Sequence, residues 1–152
     1  MYAGTGTINT SDEREKQDIN PISDDVLDAW SDVQFVQYRW RDAVESKGDA
    51  ARKHIGVIAQ RVHEAFAARG LDAFSYGLLC FDEWHDAFED IPATYDDTGA
   101  VDENGAPVLS LAEPAKRVQT VVAGNRWGIR ADECLFLEAA LMRRELNRLR
   151  SA

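Results

Sequence analysis

The last 22 residues, ADECLFLEAALMRRELNRLRSA, constrain the fold of this chain more than any other stretch. They hold no proline or glycine, begin with two acids and close on arginines, the order that a helix macrodipole favours. Leu135, Ala139, Met142, Leu146 and Leu149 are spaced four, three, four and three, with Arg143, Arg144, Glu145, Arg148 and Arg150 on the flanks. The spacing predicts a helix over 131–150. Two heptads serve equally as a coiled-coil seam or as an amphipathic face packed on the chain's own domain, and the residues leave both readings open.

Upstream, strand and helix signals alternate, which makes the chain α+β: a small strand-helix body followed by a long helix. Ser23 is a good N-cap and Asp24 and Asp25 suit a first turn, so a short helix is expected over about 24–30. VQFVQYRW, 33–40, has strand chemistry, whereas the charged RDAVESKGDAARK, 41–53, reads as a solvent-facing turn or hairpin connection. HIGVIAQ reads as a short buried strand running into a helix marked by Val62, Phe66 and Arg69 and closed by Gly70. FSYGLLCFDEW returns to strand composition with Leu78, Leu79 and Phe81 as core candidates. The segment 86–113, rich in acids, glycine and proline, reads as a surface insertion of turn and hairpin chemistry or plain disorder. VQTVV and RWGIR flank Gly124 and Asn125 as the two arms of a β-hairpin. The opening MYAGTGTINT offers almost nothing apolar to bury and is expected to be the end of a preceding β-structure, residues 1–10, ahead of a domain over 11–152.

Composition narrows the function. A chain of 152 residues fits one domain, and 17 Lys and Arg against 27 Asp and Glu give a net charge of -10, which repels a phosphate backbone and argues against nucleic-acid binding. Cys80 and Cys134 have no metal or redox spacing and are expected to be buried free thiols. His54, His63 and His85 form no metal or triad motif, and Asp96, Asp97, Asp102 and Glu103 lack the spacing of a calcium loop. Neither GTG nor AGNRWG has the form of a phosphate loop, so no metal and no cofactor is expected. No apolar run reaches about 18 residues and no signal pattern opens the chain, so no membrane partner is expected. Trp40, Trp84 and Trp127 sit in apolar runs and are read as core rather than as a carbohydrate platform.

The charged run NTSDEREKQDINPI reads, by itself, as a solvated turn before a helix. Three strings in order change its weight: SDEREK and DI across 11–19, HIGVIAQ and Val62 across 54–62, and WGIRADECLFLEAALMRREL at 127–146. Together they resemble the intramolecular chaperone auto-processing domain. This module, also called the endosialidase chaperone domain, is found at the C-terminus of phage tailspikes and tail fibres and in the myelin regulatory factor. The resemblance runs from Ser11 to the C-terminus, with 86–113 unmatched.

The resemblance implies a homotrimer, its seam Leu135, Ala139, Met142, Leu146 and Leu149. That trimer helps an upstream β-stalk of the same polypeptide to fold and then cuts itself away. The implied scissile bond joins Thr10 to Ser11, with Ser11 as nucleophile, Lys16 as general base, and Asp12 and Arg14 as positioning residues. It also implies assembly in the host cytoplasm and a parent protein in the virion tail. Glu15 stands where the family often has Leu, and Arg61 where an acid often follows the Gln. A noncatalytic trimerisation or receptor-binding tip is the competing reading.

A serine hydroxyl attacks only when a base takes its proton, and an ammonium becomes that base only under desolvation or neighbouring positive charge. Assembly that buries Lys16 would therefore switch on the cut. Glu13 and Glu15 oppose this, so the fold is expected to point them away or to pair them with Arg14. Clamping three chains first also suits a β-stalk, whose high contact order makes its register slow to find.

Overall fold

The computed structural model describes residues 9–152, so the expected upstream strand at 1–10 lies outside the described residues apart from Asn9 and Thr10. The chain divides into two units: residues up to 73 together with 132–152, and residues 74–131. The first unit holds a 3-10 turn (Glu13–Glu15), α1 (Asp24–Ser31), β1 (Val36–Tyr38), α2 (Arg41–Lys47) with a further 3-10 turn after it (Gly48–Ala50), β2 (His54–Gly56), α3 (Ala59–Ala67) and, after the second unit, α4 (Ala131–Ser151).

α1 starts where its N-cap signal stands, with Ser23 Oγ accepting from the Val26 amide at 3.4 Å. Val26, Leu27, Ala29 and Trp30 turn inward, Val62 and Phe66 come from α3, and Cys134 and Leu137 from α4. Trp30 is 1% exposed, and each large side chain so buried contributes about 1.5–3 kcal/mol. Burial also pushes the Cys134 thiol up to about 11, so it stays protonated and inert, as expected for a buried free cysteine.

α4 is fastened to α1 by polar contacts on the same face that carries Cys134 and Leu137. Trp30 Nε1 donates to Glu138 Oε2 at 2.7 Å, and Arg144 reaches Asp24 Oδ1 at 3.0 Å and Asp28 Oδ1 at 2.7 Å. The other face stays bare: Leu135, Phe136, Ala139, Met142, Leu146 and Leu149 are all exposed. The helix thus packs on its own unit through one stripe and keeps a second apolar stripe free.

Residues 41–53 connect the antiparallel strands β1 and β2, as the hairpin-connection reading has it, but not as a simple turn. Arg41–Lys47 is helical, and Gly48, at φ 55°, closes it through its amide to Val44 O. α2 buries no residue, so its charges reflect solvation of a helix rather than the lack of one. The two strands beside it are shorter than their composition suggests. β1 and β2 pair antiparallel over only three positions, Val36 opposite Gly56 and Tyr38 opposite His54, because α3 takes the chain from Ala59. Neither strand is buried: Ile55 is 82% and Trp40 56% exposed, which overturns the core reading of Trp40.

The second unit is a two-stranded antiparallel ribbon in three tiers. β3 (Leu79–Trp84) pairs with β8 (Gly124–Ile129), β4 (Ala87–Ile91) with β7 (Lys116–Val121), and β5 (Thr94–Val101) with β6 (Pro107–Glu113). The chain reverses at the tip, where Asp102 Oδ1 accepts from the amides of Asn104 at 2.8 Å and Ala106 at 2.9 Å, and Gly105 takes φ 80°. Asp86 ties the first two tiers, its Oδ1 accepting from Gln119 Nε2 at 2.8 Å and from the Ala123 amide at 2.7 Å.

Three expectations are adjusted here. Segment 86–113 is not disordered: β5 and β6 form a hairpin across the 102–106 turn, in line with the hairpin reading, and its polar residues are ladder positions solvated on a ribbon. VQTVV and RWGIR do not pair with each other; they lie in successive strands on one side of the ribbon. Gly124 faces Trp84, and a Cβ there would lie 3.0 Å from that ring, so the glycine serves close approach across the ladder and not a hairpin turn. Of the core candidates, Leu78 and Leu79 are buried, but Phe81 is exposed and Cys80 only half-buried. Trp84 and Trp127 are likewise half-buried, Trp127 packing its ring 5.4 Å from Phe74 and 5.7 Å from Phe81. Among the described residues no helix is long and apolar enough to cross a membrane, and no group of three metal-ligating side chains gathers.

Candidate active site

The site begins with one aspartate. Asp12 caps the 3-10 turn, its Oδ1 accepting from the Arg14 amide at 2.9 Å, while Arg14 Nη2 folds back to Asp12 Oδ2 at 2.6 Å. The guanidinium holds the Asp12 carboxyl below the usual carboxylate range, so this cap is charged at neutral pH. The Lys16 amide closes the turn on Glu13 O at 3.1 Å. Five residues of extended chain would separate Ser11 from Lys16 by about 16 Å. The turn instead brings them together, and Lys16 Nζ donates to Ser11 Oγ at 2.6 Å.

Both side chains are exposed and border a cleft of about 900 Å³. Asn9, Thr10, Ser11 and Lys16 line one part of it, and the start of α4 lines the rest through Asp132, Glu133, Leu135, Phe136 and Ala139. Leu135 and Ala139 therefore belong both to the free stripe of α4 and to the cleft. Nothing local in the sequence marks Asp132 or Glu133 as neighbours of the dyad, since 115 residues or more intervene and both acids already suit a helix start.

Of the two expected ways of keeping Glu13 and Glu15 from Lys16, pairing with Arg14 is not the one used. Arg14 pairs with Asp12, and neither Glu13 nor Glu15 enters an ion pair among the described residues. Among the described residues no histidine or cysteine lines the cleft: His54 stacks on Tyr38 with centroids 5.8 Å apart, His63 lies on α3, and His85 is exposed between β3 and β4.

In the charged state the lysine donates and the hydroxyl accepts, as the 2.6 Å contact is drawn. Loss of one proton reverses that hydrogen bond, and the hydroxyl then donates toward a free amine.

The fold agrees with the intramolecular-chaperone class that the three sequence strings resemble, and a solved structure of that class superposes on it. The chain belongs to the chaperone of endosialidase family, whose model matches residues 11–71, a match that opens on Ser11 itself. A crystal structure described as a novel intramolecular chaperone is 46% identical, covers 91% of this chain and 99% of that one, and superposes with a TM-score of 0.66. The tail spike protein of Escherichia virus K5 is 48% identical over 144 residues, which is 94% of this chain and 20% of that protein. Depolymerase 1, capsule K3-specific, of Klebsiella phage KP32 is 34% identical over 147 residues, 97% of this chain and 12% of that protein. The chain thus spans a fifth or less of the length of these two relatives.

Proposed function

We propose that the chain is the C-terminal intramolecular chaperone of a phage tail spike or tail fibre, which trimerises, guides folding of an upstream β-stalk over a domain boundary near Ser11, and then cuts its own chain between Thr10 and Ser11. The observation that carries this reading is the 2.6 Å contact between Lys16 Nζ and Ser11 Oγ, with Thr10 in the same cleft.

The chemistry is an acyl transfer on the chain itself. Lys16, once neutral, takes the Ser11 hydroxyl proton as Oγ attacks the carbonyl carbon of Thr10. The Thr10–Ser11 C–N bond then breaks, the proton passes to the departing Ser11 amine, and the Thr10 acyl group is left as an ester on Oγ. Water hydrolyses that ester to a Thr10 carboxylate and a free Ser11 hydroxyl. Nucleophile and carbonyl are adjacent in sequence, so tethering supplies much of the rate and no substrate pocket is required. Asp12 and Arg14 act through the turn they hold, which aims Lys16 at Ser11.

The bare stripe of α4 supports the trimer. Leu135, Ala139, Met142, Leu146 and Leu149 are all exposed, and a threefold coiled coil is one structure that buries such a stripe. The ribbon, with two open edges and exposed Phe88, Tyr95, Leu109 and Leu111, suits contact with an upstream β-stalk. Folding takes place in the host cytoplasm, and the mature stalk resides in the virion tail.

The test joins a reporter ahead of the chain and follows intact mass and oligomeric state. A fragment beginning at Ser11 is expected after trimer formation, and Ser11→Ala and Lys16→Ala are expected to stay full length yet trimeric. Wild type that trimerises and remains whole would leave the noncatalytic tip as the surviving reading, and trimer loss in both variants would make the turn a structural element.

A further inference from the structure

The tip of the ribbon turns on one residue. Asp102 O accepts from the Gly105 amide at 3.0 Å, while Asp102 Oδ1 accepts from the amides of Asn104 at 2.8 Å and Ala106 at 2.9 Å. Three consecutive N–H groups thus end on Asp102. The turn uses nothing of the Asn104 side chain, which is exposed and enters no hydrogen bond among the described residues. Gly105 follows at φ 80°, with open space where a Cβ would stand. An asparagine before a glycine carries an electrophile and a nucleophile side by side. Its carboxamide carbon lies within ring-closing reach of the next backbone nitrogen, and glycine puts no side chain in the way. Of the five asparagines, Asn104 alone precedes a glycine; Asn125 lies in β8 opposite Glu83, and Asn147 lies inside α4.

We propose that Asn104 is a site of spontaneous deamidation through the Gly105 nitrogen, held in check by Asp102 for as long as the tip turn is closed. The reaction needs only water. Gly105 N gives its proton to hydroxide and attacks Asn104 Cγ, the Cγ–Nδ2 bond breaks, and ammonia leaves with a proton taken back from water. Water then opens the resulting succinimide at either carbonyl and leaves aspartate or isoaspartate at 104.

The proton that must leave Gly105 is the one donated to Asp102 O, so the nitrogen becomes a nucleophile only when that hydrogen bond opens. The flanking strands β5 and β6 are exposed at every position, and such a tip opens at the low end of the stability range. Deamidation therefore runs from the open turn and is blocked in the closed one. Either product adds a carboxylate beside Asp102 and Glu103. Isoaspartate also routes the backbone through Cβ, and the added methylene moves the amides of 104 and 106 out of joint reach of Asp102 Oδ1. β5 and β6, whose register already shifts between Asp97 and Val101, then lose the turn that closes them. The native tip has a chemically limited lifetime, which fits a part needed while a stalk folds better than one kept in service. This chemistry proceeds whether or not the chain cuts itself at Ser11.

The experiment holds the full chain at mildly alkaline pH and follows each asparagine over time by peptide mapping with isoaspartate detection. Asn104 is expected to convert at least about tenfold faster than Asn125 or Asn147, whose backbones open less readily, with isoaspartate the major product. Asp102→Ala removes the oxygen that holds the amides on both sides of Gly105. It is expected to raise deamidation at Asn104 and hydrogen exchange at Gly105 together, each by about tenfold, the factor that one lost net hydrogen bond implies. Asn104→Gln keeps the backbone amide that Asp102 holds and should abolish conversion at the tip, because the longer side chain closes its ring far more slowly.

The unsubstituted chain supplies a second measurement. Urea well below the unfolding midpoint should accelerate exchange at Gly105 and deamidation at Asn104 in parallel, since both start from the same open turn. Conversion at Asn104 no faster than at Asn125, or exchange at Gly105 that rises while deamidation stays constant, overturns the proposal.

Discussion

Arg14 Nη2 lies 2.6 Å from Asp12 Oδ2, and this pair, rather than any side-chain contact of Glu13 or Glu15, braces the turn that joins Ser11 to Lys16. The guanidinium neutralises the residue that caps the turn and leaves the two glutamates to solvent or to another chain.

Asp12→Ala should therefore slow the cut without unfolding the chain. Displacing one reacting group by about 1 Å costs roughly a hundredfold in rate. The same residue gives a pH dependence. Its carboxyl lies below the usual carboxylate range because Arg14 binds it, so its contribution to the turn is complete above the ordinary carboxylate pKa of about 3.9 and is lost as pH falls through the lower folded value. Protection of the Arg14 and Lys16 amides, taken relative to their intrinsic base-catalysed exchange, should hold down to about pH 4 and fall only under stronger acid. Protection lost near neutral pH would contradict the assignment.

Lys16→Arg separates positioning from base chemistry. Arginine can still donate to Ser11 Oγ but does not give up its proton. The variant should trimerise normally and cut at least about a hundredfold more slowly, as expected when a general base is removed. Cutting at the wild-type rate, measured by intact mass over time, would exclude Lys16 as the base.

Trp30→Phe keeps most of the buried ring and removes the indole donor to Glu138. Leaving that carboxylate without its partner at the α1–α4 joint should cost about 1–3 kcal/mol in urea unfolding. Phe66→Ala, which empties a position of 0% exposure, should cost about 3–5 kcal/mol.

Gly124→Ala tests the ribbon by itself. The new Cβ would stand 3.0 Å from the Trp84 ring, which must shift and weaken its 3.0 Å hydrogen bond to Val122 O. Hydrogen exchange should accelerate around 84–87 and 119–124, while α1, α3 and α4 keep their protection. Loss of protection in the helices as well would show that the ribbon is not an independent unit.

Leu146→Lys places a charge on the exposed stripe of α4. Each chain should keep its helical content, because the site is solvated and surface changes rarely exceed about 0.5 kcal/mol. The oligomer should fall to monomer in ultracentrifugation. A trimer of unchanged stability would remove this stripe from the interface.

The elements readable in the sequence were those set by near neighbours. Ser23 with two aspartates starts α1, and the apolar stripe of the last segment marks α4 to within a residue at either end. The pairing of Ser11 with Lys16 became readable through resemblance, since a charged run does not by itself reveal that Asp12 bends it. What lay beyond reach depends on distant partners. Leu79 pairs with Ile129, so reading VQTVV against RWGIR chose the nearest arm instead of the true one. Asp132 and Glu133 enter the cleft from the far end of the chain, and α2 was hidden because a fully solvated helix shows no apolar periodicity.

The register of the ribbon's first tier has one more consequence. Leu79 and Ile129 face each other, so the chain leaves the base of the ribbon and returns to it side by side. Everything between them is an appendage whose length is free. Removing the outermost tier, β5 and β6 with their turn, would shorten the reach by about 26 Å at the usual rise of ~3.3 Å per residue, and joining Ile91 to Lys116 through a new tight turn would preserve the pleat below. The ribbon can therefore be lengthened or shortened by adding or deleting paired residues at the tip while the pairing of β3 with β8 stays as it is.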